Sequence, residues 1–389
     1  MSKRVTDNFQ RSAFGELDVA EMTPTIQLSF ANHVSSYLTD TSAWGGGTVT
    51  SVSAMANVST SAVASSMAMM QSRPSIVYHP GQGGRVMFTA SFTTGVSGSR
   101  QEIGAGDLND GLFIIMDQDR FGIMRRRGGT EIITYQEDFN VDKLDGTGSS
   151  GMQIVPENLN VFKIAFQYLG AGEIDYYVED PDTGRLFNFH YERFANENTK
   201  PSMLDSAFPL CILSKNTTNN TKITVKSASM GGFIEGRGSG VQHALQAKDA
   251  AVSVPAGATY TNVITLKNNE NFNGSKNKIT AEIYGLSLAS EGTGNSTTSW
   301  AIIKNASFGT TPNYVDTDSN ESITSTFVSA VGVSGGRTMA IYEIARDTNE
   351  FENTKGINMF AYPGETLTLA AISSAAFQAR GSIQWHEEF

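Results

Sequence analysis

Between positions 85 and 93 the apolar side chains Val86, Phe88, Ala90 and Phe92 fall at every second position, with Met87, Thr89 and Ser91 between them. A repeat of two places one set on each face of a pleated strand, whereas a helix repeats every ~3.6 residues and cannot separate such a set. The same spacing returns at Phe162, Ile164, Phe166 and Tyr168, and again at Ile174, Tyr176 and Val178. Gly111-Leu-Phe-Ile-Ile-Met116 is apolar throughout and reads as a strand buried on both faces. Strand-like segments at 121–126 and 131–135 flank Arg127-Gly-Gly-Thr130, a hairpin signal because glycine supplies the positive φ such loops need. With 38 glycines against 10 prolines and no sustained heptad, the chain is expected to be all-β, built from short strands and tight turns.

These strands define a module over residues 76–236, expected to be an antiparallel β-sandwich (jelly roll). Glu235-Gly-Arg-Gly-Ser-Gly240 has no bulky apolar residue and marks a joint, with 237–240 as linker. Residues 241–389 then read as a second, C-terminal β-sandwich. Its strands are expected near 260–267, 278–284, 300–303, 323–333, 338–344 and 366–372, and the last one carries Ile383-Gln-Trp-His-Glu-Glu-Phe389. Residues 1–75 have a different texture. Phe9, Phe14, Ile26, Leu28 and Phe30 are scattered through a polar stretch, and Gly45-Gly-Gly47 opens a Ser/Ala/Val/Met run over 48–71 without a clean period. The run over 48–71 reads either as a flexible linker or as an extended arm packed along a neighbouring subunit or a trimer axis; Met55, Met67, Met69 and Met70 argue for some burial, so an extended N-terminal arm is expected over 1–75.

Charge and cysteine content narrow the function classes. A net charge of −11 argues against a broad phosphate-binding surface, and no nucleic-acid partner is expected. Arg125-Arg126-Arg127, the one basic run, reads as a solvated approach to the hairpin or a subunit contact. No apolar run approaches the ~18 residues of a membrane span, and the polar start has no signal-peptide core, so neither insertion nor secretion is expected. Cys211 is the only cysteine and sits in an apolar strand, where it reads as an inert small hydrophobe. That composition fits synthesis in a reducing cytoplasm.

Catalytic and metal motifs are sparse. Glu173-Ile-Asp175-Tyr-Tyr-Val-Glu179 invites comparison with glycosidases that carry carboxylates along one strand. At ~3.3 Å per residue, Glu173 and Glu179 lie ~20 Å apart and Asp175 and Glu179 ~13 Å, whereas such enzymes need roughly 5–9.5 Å. Tyr177 occupies the place of the required second glutamate, and the carboxylates fall opposite Ile174, Tyr176 and Val178, so the chain is expected not to be an enzyme. The histidines lack zinc spacing. Asp107, Asn109 and Asp110, near Asp117 and Asp119, form the acidic, glycine-flanked cluster that would hold calcium if any site did, although such turns also occur without metal; no other cofactor is expected. For glycan stacking the candidates are Tyr135, at the end of a hairpin strand, and Tyr177, on the outer face by alternation; ordinary surface packing is the competing reading for both.

Residues 107–117 with Gly106 and Gly111, Phe121-Gly-Ile-Met124, and the pair 160–168 and 172–178 together resemble concanavalin A-like, laminin-G-like jelly-roll domains. Phe14-Gly-Glu-Leu-Asp18 through Pro24-Thr-Ile26, Tyr78-His-Pro-Gly-Gln-Gly83 and the ending Trp385-His-Glu-Glu-Phe389 resemble virion structural proteins of tailed bacteriophages and large DNA viruses. The resemblance implies a fibre, spike or capsid-decoration protein of the virion, made in the host cytoplasm and docked through its N-terminal arm on other virion proteins of the capsid, portal or tail. A homotrimer is the state expected of a fibre-like object; the resemblance does not identify the ligand, for which a host surface glycan is a candidate. A purely architectural capsid or cement protein and a carbohydrate-active enzyme are the competing readings.

Overall fold

The computed structural model describes residues 21–77, 79–167, 170–205, 207–236, 244–292, 297–354, 357 and 359–387. The chain divides into two compact units, residues 1–240 and 241–389. The first opens with β1 (Met22–Ser29), β2 (Thr39–Trp44), β3 (Thr48–Val52), β4 (Met55–Ser59), β5 (Met67–Ile76), β6 (Gly84–Phe92), β7 (Ser99–Gly106) and β8 (Gly111–Asp117). It continues with β9 (Arg120–Arg127), β10 (Thr130–Tyr135), β11 (Asn160–Phe166), β12 (Ile174–Asp180), β13 (Arg185–Glu192), β14 (Phe208–Asn216), β15 (Thr224–Ser227) and β16 (Ser229–Glu235).

These strands form two antiparallel sheets. A seven-stranded sheet runs β10-β9-β8-β7-β14-β5-β2. A nine-stranded sheet runs β13-β12-β11-β6-β15-β4-β3, and β16 shares the edge of β6 with β15 and carries β1. The alternation in β6 does what its spacing requires: Val86, Phe88, Ala90 and Phe92 are buried and the residues between them are half-buried. With Phe162 and Ile164 of β11 they pack against Ile103, Leu112, Ile114 and Ile123 of the facing sheet in one core. Each fully buried side chain of this size contributes about 1.5–3 kcal/mol. The unit is therefore a sandwich. Gly128 and Gly129, with φ of 54° and 78°, make the expected β9–β10 hairpin.

The arm expected over residues 1–75 is corrected over its described part; residues 1–20, with Phe9 and Phe14, lie outside the described residues. β1, β3 and β4 belong to the nine-stranded sheet, and β2 and β5 to the seven-stranded one. In β5, Ala68 and Met70 enter the main core, while Met69 packs against a smaller cluster of Phe113, Ile115, Met124 and Cys211. Because both faces of β5 carry methionine, the period of two is invisible in the sequence. Gly47 lets the chain pass from one sheet to the other: a Cβ there would lie 2.1 Å from the Met67 carbonyl oxygen. Residues 48–71, taken up in this way, are not a free segment to lay along a trimer axis.

The second unit is also a β-sandwich. Ala244–Val254, Phe377–Glu387, Ala281–Glu291 and Thr348–Asn353 form one sheet, with Phe360–Ala361 added on Ala281–Glu291. The other runs Val315–Asp316, Thr324–Phe327, Thr261–Asn268, Thr366–Ile372, Thr297–Lys304 and Arg337–Ala345. Trp300, Leu369, Ile383 and Trp385 share the core between them. The expected terminal strand is central in its sheet, and the buried Glu387 carboxylate accepts hydrogen bonds from the Ser322 hydroxyl, the Ile323 backbone N–H and the Trp385 indole. Glu388 and Phe389 lie outside the described residues, as do the linker 237–240, Tyr78 and Tyr168. The strand expected at 323–333 is broken after Phe327, and Ala244–Val254 is a strand whose sequence shows little alternation to announce it. No helix among the described residues is long and apolar enough to cross a membrane.

Candidate functional site

Register builds the site. On the outer face of the seven-stranded sheet, Trp44 of β2 lies opposite Met67 of β5, and Met67 opposite Lys215 of β14. Lys215 in turn faces Arg100 of β7, Arg100 faces Asp117 of β8, and Asp117 faces Arg120 of β9. Residues directly opposite in antiparallel strands project on the same side. One row thus crosses six strands, roughly 24 Å at ~4.8 Å per strand. Above it lies a cleft of about 520 Å³ lined by Arg100, Glu102, Asp117, Arg126, Glu131 and Lys215 among others. An adjoining hollow of about 330 Å³ is lined by Trp44, Ser65, Met67, Lys215, Asn216 and Thr217. Trp44 is 57% exposed.

The cleft floor is a network of ion pairs. Arg126 Nη2 donates to both carboxylate oxygens of Glu102 at 3.0 Å and to Glu131 Oε1 at 3.0 Å, while Nη1 reaches the Asp107 carbonyl at 2.8 Å. Arg100 Nε donates to Asp117 Oδ1 at 2.9 Å, and its Nη1 lies 3.3 Å from Glu131 Oε2. Burial raises the Glu102 carboxyl above its ordinary value, against the pull of Arg126 and Arg100. At Glu131 burial also pushes upward, but the hydrogen bond from Arg126 and the charges of Arg100 and Arg126 outweigh it and the carboxyl is lowered. A raised and a lowered carboxyl side by side is how a general acid and base are made. Here one guanidinium nitrogen bonds an oxygen of each, so both are held as acceptors facing an arginine.

This network corrects the reading of Arg125-Arg126-Arg127 as a solvated run. Arg125 and Arg126 are buried on opposite faces of β9, and Arg125 donates to Glu192 Oε2 at 2.7 Å and to the Ser202 carbonyl at 2.8 Å. Sequence adjacency looked like a surface patch because the acidic partners lie on other strands.

The two expected stacking tyrosines are far apart in the topology. Tyr135 closes the β10 end of the seven-stranded sheet. Its hydroxyl donates to Asp117 Oδ2 at 2.7 Å, which raises its pKa, and its ring lies 3.3 Å beneath the Arg120 guanidinium carbon. Tyr177 is on the outer face of the nine-stranded sheet, half-buried, with Lys163 Nζ 3.5 Å above its ring. One face of each ring is therefore already occupied by a cation. Glu173 pairs with Arg193 at 2.6 Å, and Asp175 accepts from Asn188 at 2.7 Å, while Ile174, Tyr176 and Val178 are buried on the other side. Asp107, Asn109 and Asp110 share one turn: Asp107 Oδ1 accepts the backbone N–H groups of Asn109 and Asp110 at 2.7 and 3.0 Å, and Asp110 Oδ1 accepts that of Leu204 at 2.7 Å. Among the described residues no group of three or more His, Cys, Asp or Glu side chains is placed to hold a metal ion. Burial pushes the Cys211 thiol well above its usual range.

Trp44, Lys215 and Arg100 are the residues that sequence reading missed. Trp44 stands directly before Gly45-Gly-Gly47, an aromatic beside a turn, but only the long-range register 44–67–215–100 brings these side chains together.

No protein-family model and no curated protein sequence matches the chain. Among solved structures, the CBM2 module of the evolved Dit of Lactobacillus casei BL23 phage J-1 aligns at a TM-score of 0.38 and 9% identity, over 57% of this chain and 99% of that one. Arcelin-5, a lectin-like defence protein from Phaseolus vulgaris, aligns at 0.35 and 8%, over 56% and 99%. The legume lectin-like domain from Entamoeba histolytica aligns at 0.32 and 12%, over 53% and 95%. The functional reading of this chain rests on its own cleft.

Proposed function

We propose that this chain is a non-enzymatic virion surface protein that attaches to glycan, and that the glycan lies in the cleft across the seven-stranded sheet. The observation that carries the reading is the exposed indole of Trp44 at one end of a row that passes through Met67 to the polar side chains Lys215, Arg100, Asp117 and Arg120. An apolar ring face beside hydrogen-bonding groups matches the two sides of a sugar, and burial of an aromatic face supplies much of such binding. The arginine-bound state of Glu102 and Glu131 supports binding without hydrolysis. The particle location, a trimeric state and attachment to capsid, portal or tail proteins are supported by the sequence resemblance to virion proteins.

The test is a binding panel of cell-surface polysaccharides against the purified protein and Trp44→Ala. At least one polysaccharide should bind, release no reducing sugar, and bind about tenfold more weakly to Trp44→Ala, the loss expected when a stacking aromatic is truncated. Equal binding by wild type and Trp44→Ala removes the cleft from the reading. Absence of the chain from purified particles by mass spectrometry removes the virion role.

A further inference from the structure

We infer that the cleft selects an acidic glycan, with a sugar ring on Trp44 and its single negative charge on Lys215; this rests on the cleft being the glycan site. The cations of the row and of the cleft floor differ in state. Arg100 is paired with Asp117 and Glu131, Arg126 with Glu102 and Glu131, and Arg120 with Glu137. Lys215 is exposed on the same face, and among the described residues its ammonium has no ion-pair or hydrogen-bond partner. It is the cation this face leaves for a ligand.

Two of the three other polar side chains of the hollow are spent, and the third, Ser65, offers one exposed hydroxyl. Asn216 Nδ2 donates to the Ser61 and Thr221 carbonyls at 3.1 and 2.9 Å, and Thr217 Oγ1 donates to the Gly98 carbonyl at 2.9 Å. A neutral sugar would find an indole, the Ser65 hydroxyl and an ammonium whose charge it leaves uncompensated. A sugar bearing one negative charge gains a charge-assisted hydrogen bond as well. The backbones of Trp44 and Lys215 stand two strands apart, about 10 Å, and their side chains line one hollow of about 330 Å³, so ring and charge are met together. A carboxylate on the ring and a phosphodiester beside it offer the same chemistry to a lone ammonium.

The experiment measures binding of the full chain, Lys215→Met and Trp44→Ala to polygalacturonate (carboxylate), to a phosphodiester-linked glycan polymer, and to dextran (neutral). The expected result is that a charged polymer binds wild type at least tenfold more tightly than dextran, and that Lys215→Met lowers its affinity about tenfold. Raising the salt to ~1 M, where charges are screened beyond ~3 Å, should abolish the preference. Which charged polymer binds distinguishes carboxylate from phosphate. If dextran binds as well as either charged polymer, with Trp44→Ala defective and Lys215→Met normal, the acidic preference is overturned while the glycan reading stands. If no charged or neutral glycan binds, both fall.

Discussion

Arg125 and Arg126 are neighbours in β9, and each is buried against a carboxylate on the opposite side of the sheet from the other's. Arg126 is the more demanding case because Glu102, its main partner, is 3% exposed and has both oxygens committed to it. Removing one member of a buried pair leaves an uncompensated charge, which costs about 3–5 kcal/mol, far more than a surface pair is worth. Arg126→Met should therefore lower unfolding stability at neutral pH by about that amount in urea titration. Adding Glu102→Gln to it should recover part of the loss, since the neutral amide needs no counter-charge; a single mutant within ~1 kcal/mol of wild type would show the pair to be solvated after all. The sequence displayed the three arginines but not their burial. Glu102 and Glu131 are brought to Arg126 across strands, and nothing near Arg126 in sequence encodes that. Lys215 and Trp44 were hidden for the same reason, since their meeting depends on pairings of residues 23 to 148 positions apart.

Elements were legible where one face is apolar and the other polar. β6, β11 and β12 show their alternation directly, and the β9–β10 hairpin is announced by Gly128-Gly129. The β3–β4 hairpin is announced by nothing. Its two-residue loop is Ser53-Ala54, with φ of 54° and 60°, between the paired Val52 and Met55. Such a loop requires positive φ at both central positions and is normally filled by Asn, Asp or Gly. Ser and Ala give no turn signal, so the small-residue run reads as an extended arm. The same fact yields a stability prediction. An L-residue in the left-handed region costs about 1–2 kcal/mol, of which glycine's larger unfolded-state entropy takes back part. Ala54→Gly should raise unfolding stability by about 0.5–1 kcal/mol without altering the denaturant slope. A loss of stability would mean that this loop does not hold its positive φ in solution.

At the scale of the whole chain, each unit closes its own core, one around Phe88, Ile114 and Phe162 and the other around Trp300, Leu369 and Trp385. Units with separate cores can unfold separately, so calorimetry should resolve two transitions, and fragments 1–240 and 241–389 should each melt cooperatively when made alone. Acid can tell the transitions apart. His190, in the first unit, has its pKa lowered to about 4 by burial, and its Nδ1 accepts the Asn140 backbone N–H at 3.2 Å, so the folded state favours the neutral ring. His79 is lowered in the same direction by the same cause. Between the unfolded pKa of ~6.5 and the folded value, the unfolded chain binds more protons than the folded one. The stabilisation is thus complete above ~6.5 and is lost as pH falls towards the folded value. From pH 7 to pH 5 the His190 share is about 1 kcal/mol once solvent screening is allowed for, which lowers the Tm of a unit this size by ~2–4 °C. The fall in Tm should appear in the whole-chain transition matching fragment 1–240 and shrink by about that amount in His190→Gln, whose amide bears no proton to gain, the share of His79 remaining. A first-unit Tm that holds steady from pH 7 to pH 5, or a whole chain that melts in one transition while neither fragment folds, would contradict the assignment of an independent unit buttressed by a neutral histidine.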